Sequence, residues 1–226
     1  MLSAMPTPHV ETEFKLRLDN EEGFQRLLRE LVALDVEPAV QTNHFFDTSA
    51  RPLRDGLMAL RLREERGTFT ITLKGGAKRE EGSALTTRGE VETLVDGAVA
   101  KSVLAGERSP LALLAGIHPG AETPLVAAAL ACVGTGDLVH LGSFTNERRS
   151  VGPVPLGDAP PVVLELDRVL FPGAPPQFEL EAEIDAQHAE AVERGLRELF
   201  TRVGLPWETA PSKAARFFAL QERPAP

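Results

Sequence analysis

Six stretches of this chain alternate charged and apolar residues one for one, a period-two pattern that restricts them to β-strands with one buried and one wetted face. In His9-Val-Glu-Thr-Glu-Phe-Lys-Leu-Arg-Leu18, residues two apart share a face. Glu11, Glu13, Lys15 and Arg17 form a charged row, and Val10, Phe14, Leu16 and Leu18 an apolar one. Arg61 and Arg63 stand opposite Met58, Leu60 and Leu62, and Lys74 shares a face with Thr70 and Thr72. Arg88, Glu90 and Glu92 repeat the arrangement, as do Glu165 with Asp167 and then Glu179, Glu181 and Glu183.

The sorting of sign is as informative as the alternation. Solvated strand faces usually mix both signs with Ser, Thr and Gln, whereas here each row is nearly pure. Acidic residues come from the first and the late strands and basic ones from the middle. Carboxylates brought close together at an intermediate dielectric repel one another by several kcal/mol. Such rows therefore need counter-charge: divalent cations such as Mg2+ take carboxylate oxygens, and Arg and Lys bind phosphoryl oxygens. Acidic and cationic rows lining one wet interior suit a metal-loaded phosphate chain.

The ordered series Glu11-x-Glu13-x-Lys15, Phe45-Phe-Asp-Thr48, Leu60-Arg-Leu-Arg63, Leu73-Lys74, Arg88-Gly-Glu90, Asn146-Glu-Arg148, Leu166-Asp167, Glu179-Leu-Glu181 and Ser212-Lys213 resembles the CYTH superfamily. These are the triphosphate tunnel metalloenzymes, related to class IV adenylate cyclases and thiamine triphosphatases. One Glu-x-Glu-x-Lys would be weak, but the series runs over residues 9 to 220. The resemblance implies an α+β chain built on an eight-stranded antiparallel β-barrel, a triphosphate tunnel with helices outside it. It further implies Glu11, Glu13, Asp167, Glu179, Glu181 and Glu183 as the metal set, with the choice among the three late glutamates open. Arg61, Arg63, Lys74, Arg88, Arg148 and Lys213 match phosphate-binding positions, Arg149 being the alternative to Arg148. Lys15 matches the position closest to catalytic action. Mg2+ or Mn2+ is the implied cofactor.

Composition sets further bounds. The chain has 226 residues and a net charge of −9, too acidic for a nucleic-acid groove, so phosphate recognition is expected to be local. No apolar run reaches the roughly 18 residues of a membrane span, and the first residues lack the features of a signal peptide. The single cysteine, Cys132, excludes an intramolecular disulfide and is expected to be a buried structural thiol. A cytoplasmic location is expected, with neither nucleic acid nor membrane as partner.

Changes of period divide the chain. Strands are expected at 9–18, 41–47, 57–64, 68–74, 86–95, 138–144, 147–152, 162–170 and 178–184, with a hairpin at Gly67. Asn20 is the expected cap of a helix from Glu21 to about Leu34, and further helices are expected at about 187–203 and 212–221. The Ala- and Leu-rich segment 96–133, punctuated by Pro110, Pro119 and Pro124, reads as a helical insert in a single domain spanning 9–220, with flexible tails at 1–8 and 222–226.

Two departures narrow the chemistry that the resemblance implies. The chain has no tyrosine, so the lysine–tyrosine pair of thiamine-type relatives has no counterpart and Lys15 acts alone or with the metal. Ala59 precedes Leu60-Arg-Leu-Arg63 where an aromatic platform for a thiamine ring would stand. The leading expectation is metal-dependent hydrolysis of tripolyphosphate or a related triphosphate. The alternatives are a class IV adenylate cyclase and a non-catalytic polyphosphate or nucleotide sensor.

Overall fold

The computed structural model describes residues 9–33, 35–78, 83–119 and 123–222. The expected tail at 1–8, residues 223–226 of the expected tail at 222–226, and Leu34 lie outside the described residues. Among the described residues nine strands form, β1 (His9–Leu18), β2 (Ala39–Asp47), β3 (Ala59–Glu65), β4 (Thr68–Lys78), β5 (Leu85–Val95), β6 (Val139–Val154), β7 (Val162–Leu170), β8 (Gln177–Glu183) and the two-residue β9 (Glu208–Thr209). Their hydrogen-bonded order is β5-β4-β3-β2-β6-β7-β8-β1-β9, and a further pairing of β5 with β1 closes it. This is the expected eight-stranded antiparallel barrel in an α+β chain. The described residues also form seven α-helices: α1 (Glu21–Glu30), α2 (Pro52–Asp55), α3 (Gly97–Leu104), α4 (Pro110–Ile117), α5 (Pro124–Val133), α6 (Ala189–Val203) and α7 (Lys213–Gln221).

Two compact units divide the chain. The first comprises residues 1–11, 41–78 and 88–144. Its core gathers Leu60 and Leu62 of β3, Ile71 and Leu73 of β4, Val91 of β5, and Val103, Leu111, Leu114, Val126 and Ala129 from α3, α4 and α5. Alternation then leaves Arg61, Arg63, Thr72 and Lys74 on the opposite face of β3 and β4. The hairpin between these strands turns through Arg66 and Gly67, whose φ values of 50° and 77° match a two-residue turn that follows the strand twist.

The second unit comprises residues 12–40, 79–87 and 145–226. Phe14, Leu16 and Leu18 of β1, Leu164 and Leu166 of β7, and Phe178, Leu180 and Ala182 of β8 pack with Phe24, Leu27 and Leu28 of α1 and Leu196, Leu199 and Phe200 of α6. The same alternation puts Glu13, Lys15, Glu165, Asp167, Glu179 and Glu181 on the other face of these strands. Asn20 caps α1 by accepting from Gly23 N at 2.9 Å, with Glu21 and Glu22 in the first turn, where the helix dipole favours them.

Three expectations are corrected. The strands expected at 138–144 and 147–152 are one continuous strand, because Thr145 and Asn146 pair with Leu170 and Val169 of β7 instead of turning. Helix α1 stops at Glu30, where the chain leaves helical geometry through Val32 at φ 52°. Cys132 is exposed, since α5 buries Val126 and Ala129 and Cys132 falls off that stripe.

Gly195 on α6 lies directly against the chain at Leu156. A Cβ there would lie 2.6 Å from Leu156 Cβ and 2.9 Å from Leu156 C and O, and that backbone cannot swing aside as a long side chain would. Gly195→Ala is expected to destabilise by about 1–3 kcal/mol through overpacking, although alanine favours helix. Chemical denaturation measures this, and a more stable variant would show that the loop at Leu156 yields freely.

Candidate functional site

In the second unit, Asp167 of β7 and Glu179 and Glu181 of β8 each offer a carboxylate oxygen within 4.8 Å of one another, and all three are buried. Antiparallel pairing produces the cluster: Asp167 stands opposite Glu179, and Glu165 opposite Glu181. Lys15 of β1, opposite Glu181 of β8, donates to Glu13 at 2.8 Å and also to Glu181. Arg148 of β6 donates to Asp167 through Nε at 2.8 Å and Nη2 at 2.6 Å, and it reaches Glu181 and Glu165 as well. Lys213, at the start of α7, contacts Asp167 at 2.7 Å, Glu181 at 2.9 Å and Glu179.

Burial alone would raise the Glu181 carboxyl, but Lys15, Lys213 and Arg148 outweigh it and hold it well below the usual carboxylate range. Asp167 is lowered in the same way, with Lys213 and Arg148 overcoming burial. Glu165 goes the other way: burial raises it, and neighbouring Glu181 and Asp167 add to the rise against Arg148. Five carboxylates, Glu13, Glu165, Asp167, Glu179 and Glu181, thus share four cations, Lys15, Arg148, Lys213 and Arg216. The surplus is negative.

The first unit holds a cluster of the opposite balance. Glu11 accepts from Lys74 Nζ at 2.9 and 3.0 Å and from Arg88 Nε at 2.8 Å, and Lys74 also contacts Glu90 at 2.7 Å. Arg61 donates to Thr72 Oγ1 at 3.4 Å, and Arg63 to Asn43 Oδ1 at 3.2 Å. Four cations here face two carboxylates. Burial pushes the Arg61 guanidinium down and Arg63 adds to this, with Glu90 and Glu11 opposing. Arg61 Nε is buried without a hydrogen-bond partner. Burial and then Arg88 likewise lower Lys74. For Glu11, burial would raise the carboxyl, but Lys74 and Arg88 hold it well below its usual range.

Within each unit the structure thus brings most of the expected residues together. Arg148 faces the carboxylates, while Arg149 donates to Val36 O at 2.9 Å. Of the three late glutamates, Glu179 and Glu181 join Asp167, and Glu183 lies exposed opposite Glu13 in the strand register. Arg216 was missed: from α7 it ion-pairs with Glu179 and donates to Gln177 Oε1 at 2.7 Å. Its spacing of three from Lys213 on one helix was the available signal.

The CYTH domain profile matches residues 9–218, nearly the whole described chain. The chain belongs to the CYTH family. Among solved structures it is similar to HpAC1 from Hippeastrum, named an adenylyl cyclase and described as having a dominant triphosphatase activity. Identity is 26% over 92% of this chain and 95% of that one, with TM-score 0.74. A protein of Bacillus halodurans named as an adenylate cyclase shares the fold at 24% identity over 93% and 98% of the two chains, TM-score 0.68. A Pyrococcus horikoshii protein does so at 17% identity over 93% and 99%, TM-score 0.56. No curated protein matches the chain. Family membership implies a divalent metal, and the donor set fits one: Asp167, Glu179 and Glu181 supply clustered hard oxygens of the kind Mg2+ and Mn2+ take.

A stability signature follows from Glu11. Its folded pKa lies below its unfolded value of 4.5, so its contribution is complete above that value and is lost as pH falls towards the folded one. In chelator-treated protein, calorimetric melts between about pH 5 and pH 3 are expected to fall more steeply for wild type than for Glu11→Gln. Parallel slopes would remove Glu11 from the ion-pair cluster.

Proposed function

We propose that the chain is a metal-dependent triphosphatase acting on tripolyphosphate or a related triphosphate. The observation that carries this reading is the buried Asp167–Glu179–Glu181 set, whose oxygens are shared among Lys15, Arg148 and Lys213. Mg2+ or Mn2+ bound to these carboxylates supplies charge neutralisation for phosphoryl transfer, a reaction that demands chiefly alignment and electrostatic stabilisation. Lys213 and Arg148, now on these carboxylates, would hold phosphoryl oxygens of the substrate. Lys15 donates to two carboxylates in the structure, which suits an electrostatic contact to the reacting group better than a proton acceptor. Arg61, Arg63, Lys74 and Arg88, with their positive surplus, are proposed phosphate contacts, and Glu11 and Glu13 are proposed additional metal ligands. Hydrolysis forms a bond from a water oxygen to the terminal phosphorus and breaks the bridging P–O bond, releasing orthophosphate, diphosphate and a proton.

The activity described for HpAC1 supports hydrolysis over cyclisation, and so does Ala59, which offers no surface for a base to stack on. The single cysteine is consistent with a cytoplasmic enzyme. Among the described residues no helix is long and apolar enough to cross a membrane.

Initial rates on tripolyphosphate, ATP, thiamine triphosphate and pyrophosphate at one Mg2+ concentration test the reading. Tripolyphosphate is expected to give the highest kcat/KM and pyrophosphate the lowest. Glu181→Gln keeps an accepting oxygen for Lys15 but gives up the charge. It should lose more than the roughly 10–100-fold typical of altering a group one step removed from a metal. Cyclic AMP as the main product from ATP would establish the cyclase instead, and tight binding without turnover of any compound would establish a sensor.

Arg61→Ala separates phosphate binding from metal binding. It is expected to weaken tripolyphosphate binding by about 1.5–3 kcal/mol, the scale of a charged hydrogen bond, with Mn2+ affinity unchanged. Wild-type tripolyphosphate affinity by calorimetry would remove Arg61 from the phosphate contacts.

A further inference from the structure

His44 on β2 and His140 on β6 belong to the first unit and to neighbouring strands, and their ring nitrogens Nδ1 and Nε2 stand 3.2 Å apart. His44 alternates with Asn43 and Phe45, which pair with Arg63 and Arg61, so it points away from the charged row towards the face of Leu62, its own cross-strand partner. The pair thus stands outside the residues proposed for triphosphate chemistry. We propose that His44 and His140 form a separate binding site for a late first-row divalent ion, of the Zn2+, Ni2+ or Cu2+ class.

Geometry supports this. Two imidazole nitrogens each about 2.0–2.1 Å from one ion, at an angle near about 100°, lie about 3.1–3.2 Å apart, the separation already present between these rings. Little rearrangement is then needed to bind. The His140 ring rests against Phe46 with centroids 5.4 Å apart, which limits its rotation. Glu64 of β3, an exposed side chain, stands opposite Thr42 and so lies diagonally beside His44 on the same face, near enough to raise its pKa. By rotation it can add a carboxylate ligand. Burial first and His140 second hold His44 below its ordinary value, so it offers a lone pair at neutral pH.

Ligand chemistry separates this site from the carboxylates of the second unit. Imidazole favours the later transition ions, whereas clustered carboxylates favour Mg2+ and Mn2+. In the free pair one facing nitrogen donates to the other; on binding, that ring's proton passes to its far nitrogen, so that both facing lone pairs turn to the ion and the protons sit on His44 Nε2 and His140 Nδ1. Two neutral rings therefore bind without net proton release.

Untagged protein, stripped with chelator and then held in excess Mg2+ to occupy the carboxylates, is titrated with Ni2+ by calorimetry and with Cu2+ by electron paramagnetic resonance. The expected Cu2+ spectrum shows coupling to two nitrogens. His140→Ala and His44→Ala are each expected to weaken Ni2+ binding by about tenfold or more, since two tethered ligands become one. His140 is exposed, so its removal leaves the fold intact, and Ni2+ should raise the melting temperature of wild type but not of His140→Ala. Equal Ni2+ isotherms for wild type and His140→Ala, or Cu2+ coupled to fewer than two nitrogens, would overturn the site. Because Mg2+ is present throughout and no triphosphate is used, the outcome does not depend on the enzymatic reading.

Discussion

The arrangement of the second unit depends on one constraint: Asp167, Glu179 and Glu181 are carboxylates buried on adjacent strands and must be neutralised. Removing an ion from water costs several kcal/mol even after relaxation, and the attraction of a buried pair repays this only when its geometry is good and its remaining lone pairs are used. Here the repayment comes from Lys15 on β1, Arg148 on β6 and Lys213 on α7. These elements are far apart in sequence, and each must arrive in register for the carboxylates to ionise. The first strand, the long sixth strand and the final helix are thereby tied to the same three oxygen donors.

An apolar set of similar volume would serve stability as well or better, because buried ion networks seldom add net stability over well-packed hydrophobes. Under the proposed function their presence has a reason in exchange: the oxygens that accept from Lys213 and Arg148 are those a divalent ion would take, so that metal and ammonium or guanidinium groups would be alternative partners of one set of acceptors. The lowered pKa values of Asp167 and Glu181 keep both carboxyls ionised over the physiological range, a precondition of metal binding. In the first unit the balance is reversed. Arg61 lacks a partner for Nε, and burial disfavours its charge, so its unmet demand is for an anion. The two clusters differ in sign for a reason already visible along the strands, where carboxylates dominate β7 and β8 and guanidinium and ammonium groups dominate β3 and β4.

Period and sign were local properties and therefore legible in the sequence. A strand's alternation identifies its wetted face without any knowledge of its neighbours, which is why Asp167, Glu179, Glu181 and Glu183 read as acidic rows, with the choice among the three glutamates open. Partnership was not local. Nothing in Asn146-Glu-Arg148-Arg149 distinguishes two adjacent arginines until the register of β6 against β7 places Arg148 opposite Asp167 and leaves Arg149 to donate to Val36 O. The same holds for Glu183, which shares a face with Glu179 and Glu181 but stands at the strand end opposite Glu13. The division of β6 into two strands failed for a related reason. Asn146 resembles a turn residue in isolation, yet it is buried and paired, so tertiary hydrogen bonding overrode local preference.

Arg216 shows how the final helix constrains the carboxylates beyond Lys213. Ser212 caps α7 by accepting from Ala215 N at 3.1 Å, which fixes where the helix starts and hence which residues follow Lys213 on the inner face. One turn on, Arg216 meets Glu179 and Gln177 and lies over the Phe171 ring at 5.6 Å. Glu179 is thus held from the helix by two cations, whereas Asp167 and Glu181 share theirs with the strands. A helix gripped at two successive positions cannot rotate to release Lys213 alone. Lys213 and Arg216 therefore neutralise Glu179 from one helix, Lys213 reaching Asp167 and Glu181 as well and Arg216 reaching Gln177.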